Sequence, residues 1–185
     1  RYIFEQIEYE VERSKRYGTP ISLVFFDLDH FKDVNDSYGH LTGSRLLAEV
    51  GAVVAEHIRK TDKAARYGGD EFVVILPQTE KSGAVVFAEK LHNELNMKSF
   101  FSSNGDPLSV SGSFGVASFP EDAQTVDDLI LPVFVRDGTR VRALARRGTG
   151  ATVRLNPGAG SRRRRHGAVP LTRSCCRRFP VRPAS

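Results

Sequence analysis

The chain has 185 residues, 40% of them hydrophobic, with a formal net charge of +5. That length suits one well-cored domain rather than two, and no apolar run reaches the ~20 residues needed to cross a bilayer as a helix. The only cysteines, Cys175 and Cys176, are adjacent, which fits neither a disulfide framework nor a zinc site; no signal peptide opens the sequence, which starts within a helical pattern, and a reducing, cytoplasmic setting is expected.

The net charge conceals two unlike pieces. Residues 1–130 carry 13 Lys and Arg against 21 Asp and Glu, a net −8. Residues 131–185 carry 14 Arg, no Lys and a single acid, Asp137, a net +13. A boundary is placed near Ile130 on this shift.

Ile3, Phe4, Ile7 and Val11 recur at helical spacing, with Glu5, Glu8, Glu12 and Lys15 on the outer face, so residues 1–17 are predicted helical and stopped by Gly18-Thr19-Pro20. Ile21 to Phe26 is an unbroken apolar run too short for a helix, and reads as a strand buried on both faces. It delivers Asp27-Leu28-Asp29 at its C-terminal end, where open α/β sheets usually place ligand sites. The polar segment from His30 to His40 is predicted as a short helix ended by Gly39. Its acids together with Asp27 and Asp29 suggest metal, but the sixth position of an EF-hand loop would be Lys32 where Gly is required, which excludes that motif. Thr42 is expected to cap a helix running to about Lys60, with Leu46, Val50, Val53, Val54 and Ile58 inward and His57 partly exposed.

Lys63 to Tyr67 and Glu71 to Leu76 read as a hairpin, and Thr79 to Met97 as a helix burying Ala84, Phe87, Ala88, Leu91 and Leu95. Ser103-Asn104-Gly105-Asp106-Pro107 has loop chemistry. Leu108 to Phe119 is predicted as one strand, with Gly112 and Gly115 at close backbone approaches. Thr125 caps a final helix carrying Asp127 and Asp128 in its first turn, and Pro132 interrupts it. The expected fold is α/β (α+β), a mixed central sheet flanked by helices.

The most informative stretch is Arg66-Tyr67-Gly68-Gly69-Asp70-Glu71-Phe72. Adjacent glycines allow positive φ and leave no Cβ, so a phosphate could approach the backbone; Asp70 and Glu71 set negative charge where a divalent cation could bridge to it. A plain hairpin turn with solvated acids is the alternative for Gly-Gly-Asp alone.

The seven-residue string resembles the signature of the GGDEF family, the diguanylate cyclases. Phe26-Asp27-Leu28-Asp29-His30-Phe31-Lys32, with Asn35-Asp36 and Gly39-His40, resembles the family's first-strand motif and precedes Asp70 by 43 residues, counted from Asp27. The resemblance implies a palm-like nucleotide cyclase fold and the condensation of two GTP molecules, one per protomer of a homodimer, to cyclic di-GMP with release of pyrophosphate. It implies Mg2+ or Mn2+ held by Asp27, Asp70 and the Leu28 carbonyl, with Asp70 and Glu71 catalytic and Glu71 either a further ligand or a base. It also implies Gly68 and Gly69 against the phosphates, Lys32 on the outer phosphates and Asn35 on the purine edge. Arg59-Lys60-Thr61-Asp62 resembles the family's inhibitory RxxD site, where Arg59 and Asp62 would bind the cyclic dinucleotide product; a helix-end ion pair is the alternative.

Two departures from the family pattern matter. Ser44 stands where most members carry an Asp that reads guanine, a change resembling the promiscuous subgroup that also accepts ATP and makes cyclic AMP-GMP. After Ile130, Leu131-Pro132-Val133-Phe134 replaces the Ala-Asp-x-Ala-Leu-Tyr-x-Ala-Lys segment and Gly-Arg-Asn ending that supply a Lys and an Arg to the phosphates. The all-Arg tail, including Arg162 to Arg165, is read as disordered or as the product of a frameshift near codon 131, and no nucleic-acid partner is expected. Because the Asp-x-Leu-Thr-Gly-Leu turn of the family is absent, the chain is expected to be a fragment separated from an upstream sensory domain. The competing function is a non-catalytic module that binds GTP or a cyclic dinucleotide.

Overall fold

The computed structural model describes residues 2–130 and Arg142–Ala143. The apolar run after Thr19-Pro20 forms β1 (Ile21–Leu28), the middle strand of the sheet. Both of its edges are paired: β3 (Glu71–Pro77) and β6 (Gly112–Phe119) run antiparallel to it, Val24 standing opposite Val74 on one side and Val116 on the other. The sheet runs β2-β3-β1-β6-β7, with β2 (Lys63–Arg66) antiparallel to β3 and β7 (Arg142–Ala143) parallel to β6, so the sheet is mixed as expected.

Strand alternation divides the core into two layers. Val24, Phe26 and Leu28 face the cluster filled by α2 (Phe31–His57) and α3 (Lys81–Met97), through Leu46, Val50 and Val54 of the former and Ala88, Leu91 and Leu95 of the latter. Phe26 lies between Phe72 and Phe114, its ring stacked 4.9 Å from the first and 4.6 Å from the second. Ile21, Leu23 and Phe25 face the opposite cluster, where α1 (Tyr2–Tyr17) contributes Ile3, Ile7 and Val11 and α4 (Val126–Ile130) contributes Leu129. The inward stripe of α1 is the one its spacing predicts.

Several boundaries move. The stretches expected as two helices form one element, α2, broken at Gly39 by non-helical φ 78°, ψ 157°. Glycine is needed there, since an L side chain is strained at that φ. Thr42 does not cap: it is buried, and its hydroxyl donates to the Tyr38 carbonyl at 2.7 Å, holding the two helical pieces together across the break. α3 begins at Lys81 rather than Thr79, because the backbone at Glu80 is extended, with ψ 161°; the Thr79 carbonyl accepts from the Ser22 hydroxyl at 2.8 Å. The strand expected from Leu108 starts only at Gly112; Pro107–Leu108 (β5) instead pairs with Phe100–Phe101 (β4) in a separate two-stranded ladder that encloses the 103–106 loop. Thr125 does cap α4, its hydroxyl accepting from the Asp128 amide at 3.1 Å. The expectations for the tail lie outside the described residues, apart from the backbone of β7.

Candidate functional site: carboxylates at the end of the central strands

β1 ends at the same edge of the sheet where β3 and β6 begin, so three strand termini meet. In the β1–β3 register Asp27 stands opposite Glu71, and in the β1–β6 register it stands opposite Ser113. Alternation puts Asp27 and Glu71 on one face, the continuation of Phe25 and Val73. The close approach expected at Gly112 is present: a Cβ there would lie 2.9 Å from the Asp27 carbonyl oxygen.

Two residues on, Asp29 is fixed by Ser113 of β6 and by Ser111 just before it. Its amide donates to the Ser111 carbonyl at 3.0 Å, and its two carboxylate oxygens accept from the hydroxyls of Ser111 at 2.7 Å and Ser113 at 2.8 Å. His30 then takes a left-handed φ of 59° and turns the chain into α2. The sequence grouped Asp29 only with the acids that suggest metal; its hydroxyl partners were not foreseen, and the signal available was a pair of serines two residues apart at the start of the strand that returns beside it.

The electrostatics follow from this packing. Partial burial raises the Asp27 carboxyl above its ordinary value, and the negative charges of Asp29, Asp70 and, more weakly, Glu71 push it the same way, against a backbone hydrogen bond that lowers it. Among the described residues no three His, Cys, Asp or Glu side chains form a self-sufficient metal cage. Mg2+ is commonly bound by one or two carboxylates completed by substrate phosphates and water. A crowded set of acids whose mutual repulsion a cation would relieve fits that donor chemistry.

The signature turn departs from expectation in one respect. Neither Gly68 nor Gly69 has positive φ; among the described residues the glycines that do are Gly18, Gly39 and Gly105. What Gly68 supplies is room: a Cβ there would lie 2.6 Å from Glu71 Oε2, so the missing side chain admits the Glu71 carboxylate. Gly69 has nothing within 4 Å of the equivalent point, so its surface is open. The turn closes by the Tyr67 amide donating to the Glu71 carbonyl at 2.8 Å, and Phe4 of α1 meets the Tyr67 ring edge-on with centroids 5.5 Å apart.

The remaining residues form two further groups. Lys32 is exposed in the first turn of α2, and Asn35, one turn on, lies against Gly43, the neighbour of Ser44. Arg59 and Asp62 lie between α2 and β2, where Asp62 is buried and its Oδ2 accepts from the Arg59 backbone amide at 2.8 Å. Arg59 itself is exposed. Asp62 therefore caps the turn, whether or not the pair also meets a ligand.

These features define an α+β domain of the nucleotide-cyclase type, with an acidic strand-end site. The family described as "Diguanylate cyclase, GGDEF domain" matches residues 1–132, and the chain belongs to it. The chain is similar to Diguanylate cyclase DosC of Escherichia coli, 34% identical over 110 residues that make up 60% of this chain and 24% of that protein. Among solved structures it is similar to the GGDEF domain of YfiN from Pseudomonas aeruginosa, with a TM-score of 0.68 and 27% identity over 71% of this chain and 82% of that one. It is also similar to the GGDEF domain of DgcB from Caulobacter crescentus in complex with c-di-GMP, with a TM-score of 0.67 and 26% identity over 71% of this chain and 75% of that one. The chain spans about a quarter to a third of the length of the curated relatives it matches.

Proposed function

We propose that residues 1–130 are a metal-dependent cyclase domain that condenses two nucleoside triphosphates into a cyclic dinucleotide. GTP is the principal substrate and cyclic di-GMP the principal product; Ser44, which lacks the carboxylate that would accept from guanine N1–H and its amino group, admits ATP and so cyclic AMP-GMP. In each of two successive steps a 3′-hydroxyl oxygen bonds to the α-phosphorus of the other nucleotide, the bond to pyrophosphate breaks, and the hydroxyl proton is lost. The observation that carries this reading is the cross-strand pairing of Asp27 with Glu71, with Asp70 adjacent, in a chain of this family.

Asp27, Asp70 and the Leu28 carbonyl are the groups that would hold Mg2+ or Mn2+, which when bound polarises phosphate and hydroxyl oxygens. Glu71 is a further ligand or the proton acceptor. Lys32 neutralises the outer phosphates, Gly69 leaves space for them beside Gly68, and Asn35 hydrogen-bonds the purine edge. Each protomer contributes one such half-site, so catalysis requires a homodimer. Product returns to Arg59, whose guanidinium suits phosphate or a guanine edge, and to Asp62. Nucleoside triphosphates are cytoplasmic, in agreement with the setting expected from the cysteines.

The second reading, a non-catalytic module that holds GTP or a cyclic dinucleotide, is favoured by the sequence after Ile130, which lacks the family's Lys and Arg. Incubating the full chain with Mg2+, GTP and ATP and identifying products by mass spectrometry separates the two. Cyclic di-GMP, with or without cyclic AMP-GMP, supports the enzyme. No turnover with retained binding of cyclic di-GMP selects the module.

A further inference from the structure

Gly43 lies in the second piece of α2, four residues past the break at Gly39, and is buried. A Cβ placed on it would fall 2.0 Å from Asn35 Oδ1, 2.9 Å from Asn35 Cγ and 3.1 Å from Phe31 Cζ. The first distance is far inside any permitted contact, so an alanine there demands movement. The backbone around Gly43 is poorly placed to yield. Thr42 is tied to the Tyr38 carbonyl at 2.7 Å, Arg45 Nη1 donates to the Ser103 hydroxyl at 2.6 Å, and Leu46 and Leu47 are in the core. The group able to give is the end of the Asn35 side chain, which is only partly buried and rotates about two bonds.

We propose that Gly43 is a positioning residue for nucleotide recognition, its missing side chain seating the Asn35 carboxamide against the α2 backbone immediately before Ser44. This rests on the reading above in which Asn35 meets the purine edge. On that reading base selection is set by three adjacent parts of one helix: Asn35 presents the amide, Gly43 fixes where it stands, and Ser44 decides which bases are tolerated beside it. The glycine does this at a cost, since Ala is the better residue in a helix interior. A purely structural glycine here would be improved or unaffected by alanine once the Asn35 side chain had moved aside.

The test is a double-mutant cycle on the full chain, with the parent, Asn35→Ala, Gly43→Ala and the double variant. Binding of 3′-deoxy-GTP with Mg2+ is measured by calorimetry, since that nucleotide lacks the attacking hydroxyl and cannot turn over; inorganic tripolyphosphate serves as a base-free probe, and thermal midpoints are recorded. The expected result is that each single variant weakens 3′-deoxy-GTP by about tenfold, the effect of one lost or misplaced hydrogen bond. The double variant is then no weaker than Asn35→Ala, tripolyphosphate binding is unchanged, and Gly43→Ala melts no lower than the parent. Parent-like binding by Gly43→Ala, multiplying effects in the double variant, or a fall in midpoint accompanied by loss of tripolyphosphate binding overturns the role of Gly43 and leaves the cyclase reading intact. A parent that does not bind 3′-deoxy-GTP, or an Asn35→Ala variant that binds it unchanged, overturns the nucleotide reading itself and this inference with it.

Discussion

Asp27 on β1 and Glu71 on β3 face each other across an antiparallel pair at the very end of the sheet, both on the side away from the stacked rings of Phe26 and Phe72. Like charges directly opposite on neighbouring strands are destabilising. Burial first, and then the negative charges of Asp29 and Asp70, raise the Asp27 carboxyl above its ordinary value. The fold tolerates this repulsion at one edge because two tightly packed layers hold the strands together behind it.

The sign of that penalty can be measured. A folded-state carboxyl raised above the unfolded value of 3.8 means the folded chain binds the proton more tightly than the unfolded one. The contribution of Asp27 to stability is therefore most favourable at low pH and is lost as pH rises from that value through the raised folded one. Asp27→Asn is expected to raise the thermal midpoint at about pH 7–8 relative to the parent, with the difference shrinking toward about pH 4. Turnover is expected to fall by about a hundredfold or more in the same variant. A midpoint unchanged across that range would remove the electrostatic account.

Gly68→Ala tests the turn. A Cβ 2.6 Å from Glu71 Oε2 must displace the carboxylate, and with it a group of the proposed site. Turnover is expected to fall by about tenfold or more, with the far-ultraviolet circular dichroism and thermal midpoint close to those of the parent. Gly69→Ala, where nothing lies within 4 Å, separates the glycines: its loss of activity, if the phosphates do run past it, is expected as a rise in KM.

Away from the site, Glu10 of α1 is nearly inaccessible, with its side chain 4% exposed, and its carboxylate is met by Lys63 of β2 at 2.7 Å and by Arg13 at 3.2 Å. Lys63→Met leaves that carboxylate with the single, more exposed arginine. A loss of about 1–3 kcal/mol in denaturant-measured stability is expected, below the full cost of an orphaned buried charge because Arg13 remains. Adding Glu10→Gln to the same chain should recover part of it.

Ser44→Asp addresses base choice. On the proposed reading, a carboxylate at position 44, next to the Gly43 against which Asn35 lies, is expected to shift products of a mixed GTP and ATP reaction toward cyclic di-GMP, by about tenfold or more in the ratio of cyclic di-GMP to cyclic AMP-GMP. An unchanged ratio would show that Ser44 does not set selectivity.

Much of the sheet was legible because its signals are local. The unbroken run Ile21 to Phe26 and, in the helix packed on the sheet, the spacing of Ala84, Ala88, Leu91 and Leu95 report their own burial, and the Gly-Gly pair marks the turn between β2 and β3. What stayed hidden was non-local or subtractive. The separate ladder of Phe100–Phe101 with Pro107–Leu108 depends on which strand Leu108 meets, and periodicity within one segment carries no such information. Thr42 carried the chemistry of a cap but found the Tyr38 carbonyl, because the break at Gly39 brought that acceptor into reach. The residues of the proposed site come from the two motifs. The reasons for Gly68 and Gly43 do not, since each glycine serves a side chain, of Glu71 and of Asn35, which only the folded chain brings against it.

The hydrogen bonds of Asp29 also bear on how the protein comes into being. β1 leaves the ribosome before β6, with its acidic end bare, whereas the hydroxyls that hold Asp29 belong to Ser111 and Ser113, 82 and 84 residues later. Loop closure over that span must precede any reward from the contact, so long-range pairing of this kind forms slowly. The acidic edge is thus among the last parts of the domain to acquire its shape during synthesis. A ribosome paused before β6 would present neither the hydroxyls that hold Asp29 nor the Phe114, Val116, Ala117 and Phe119 side chains that complete both core layers.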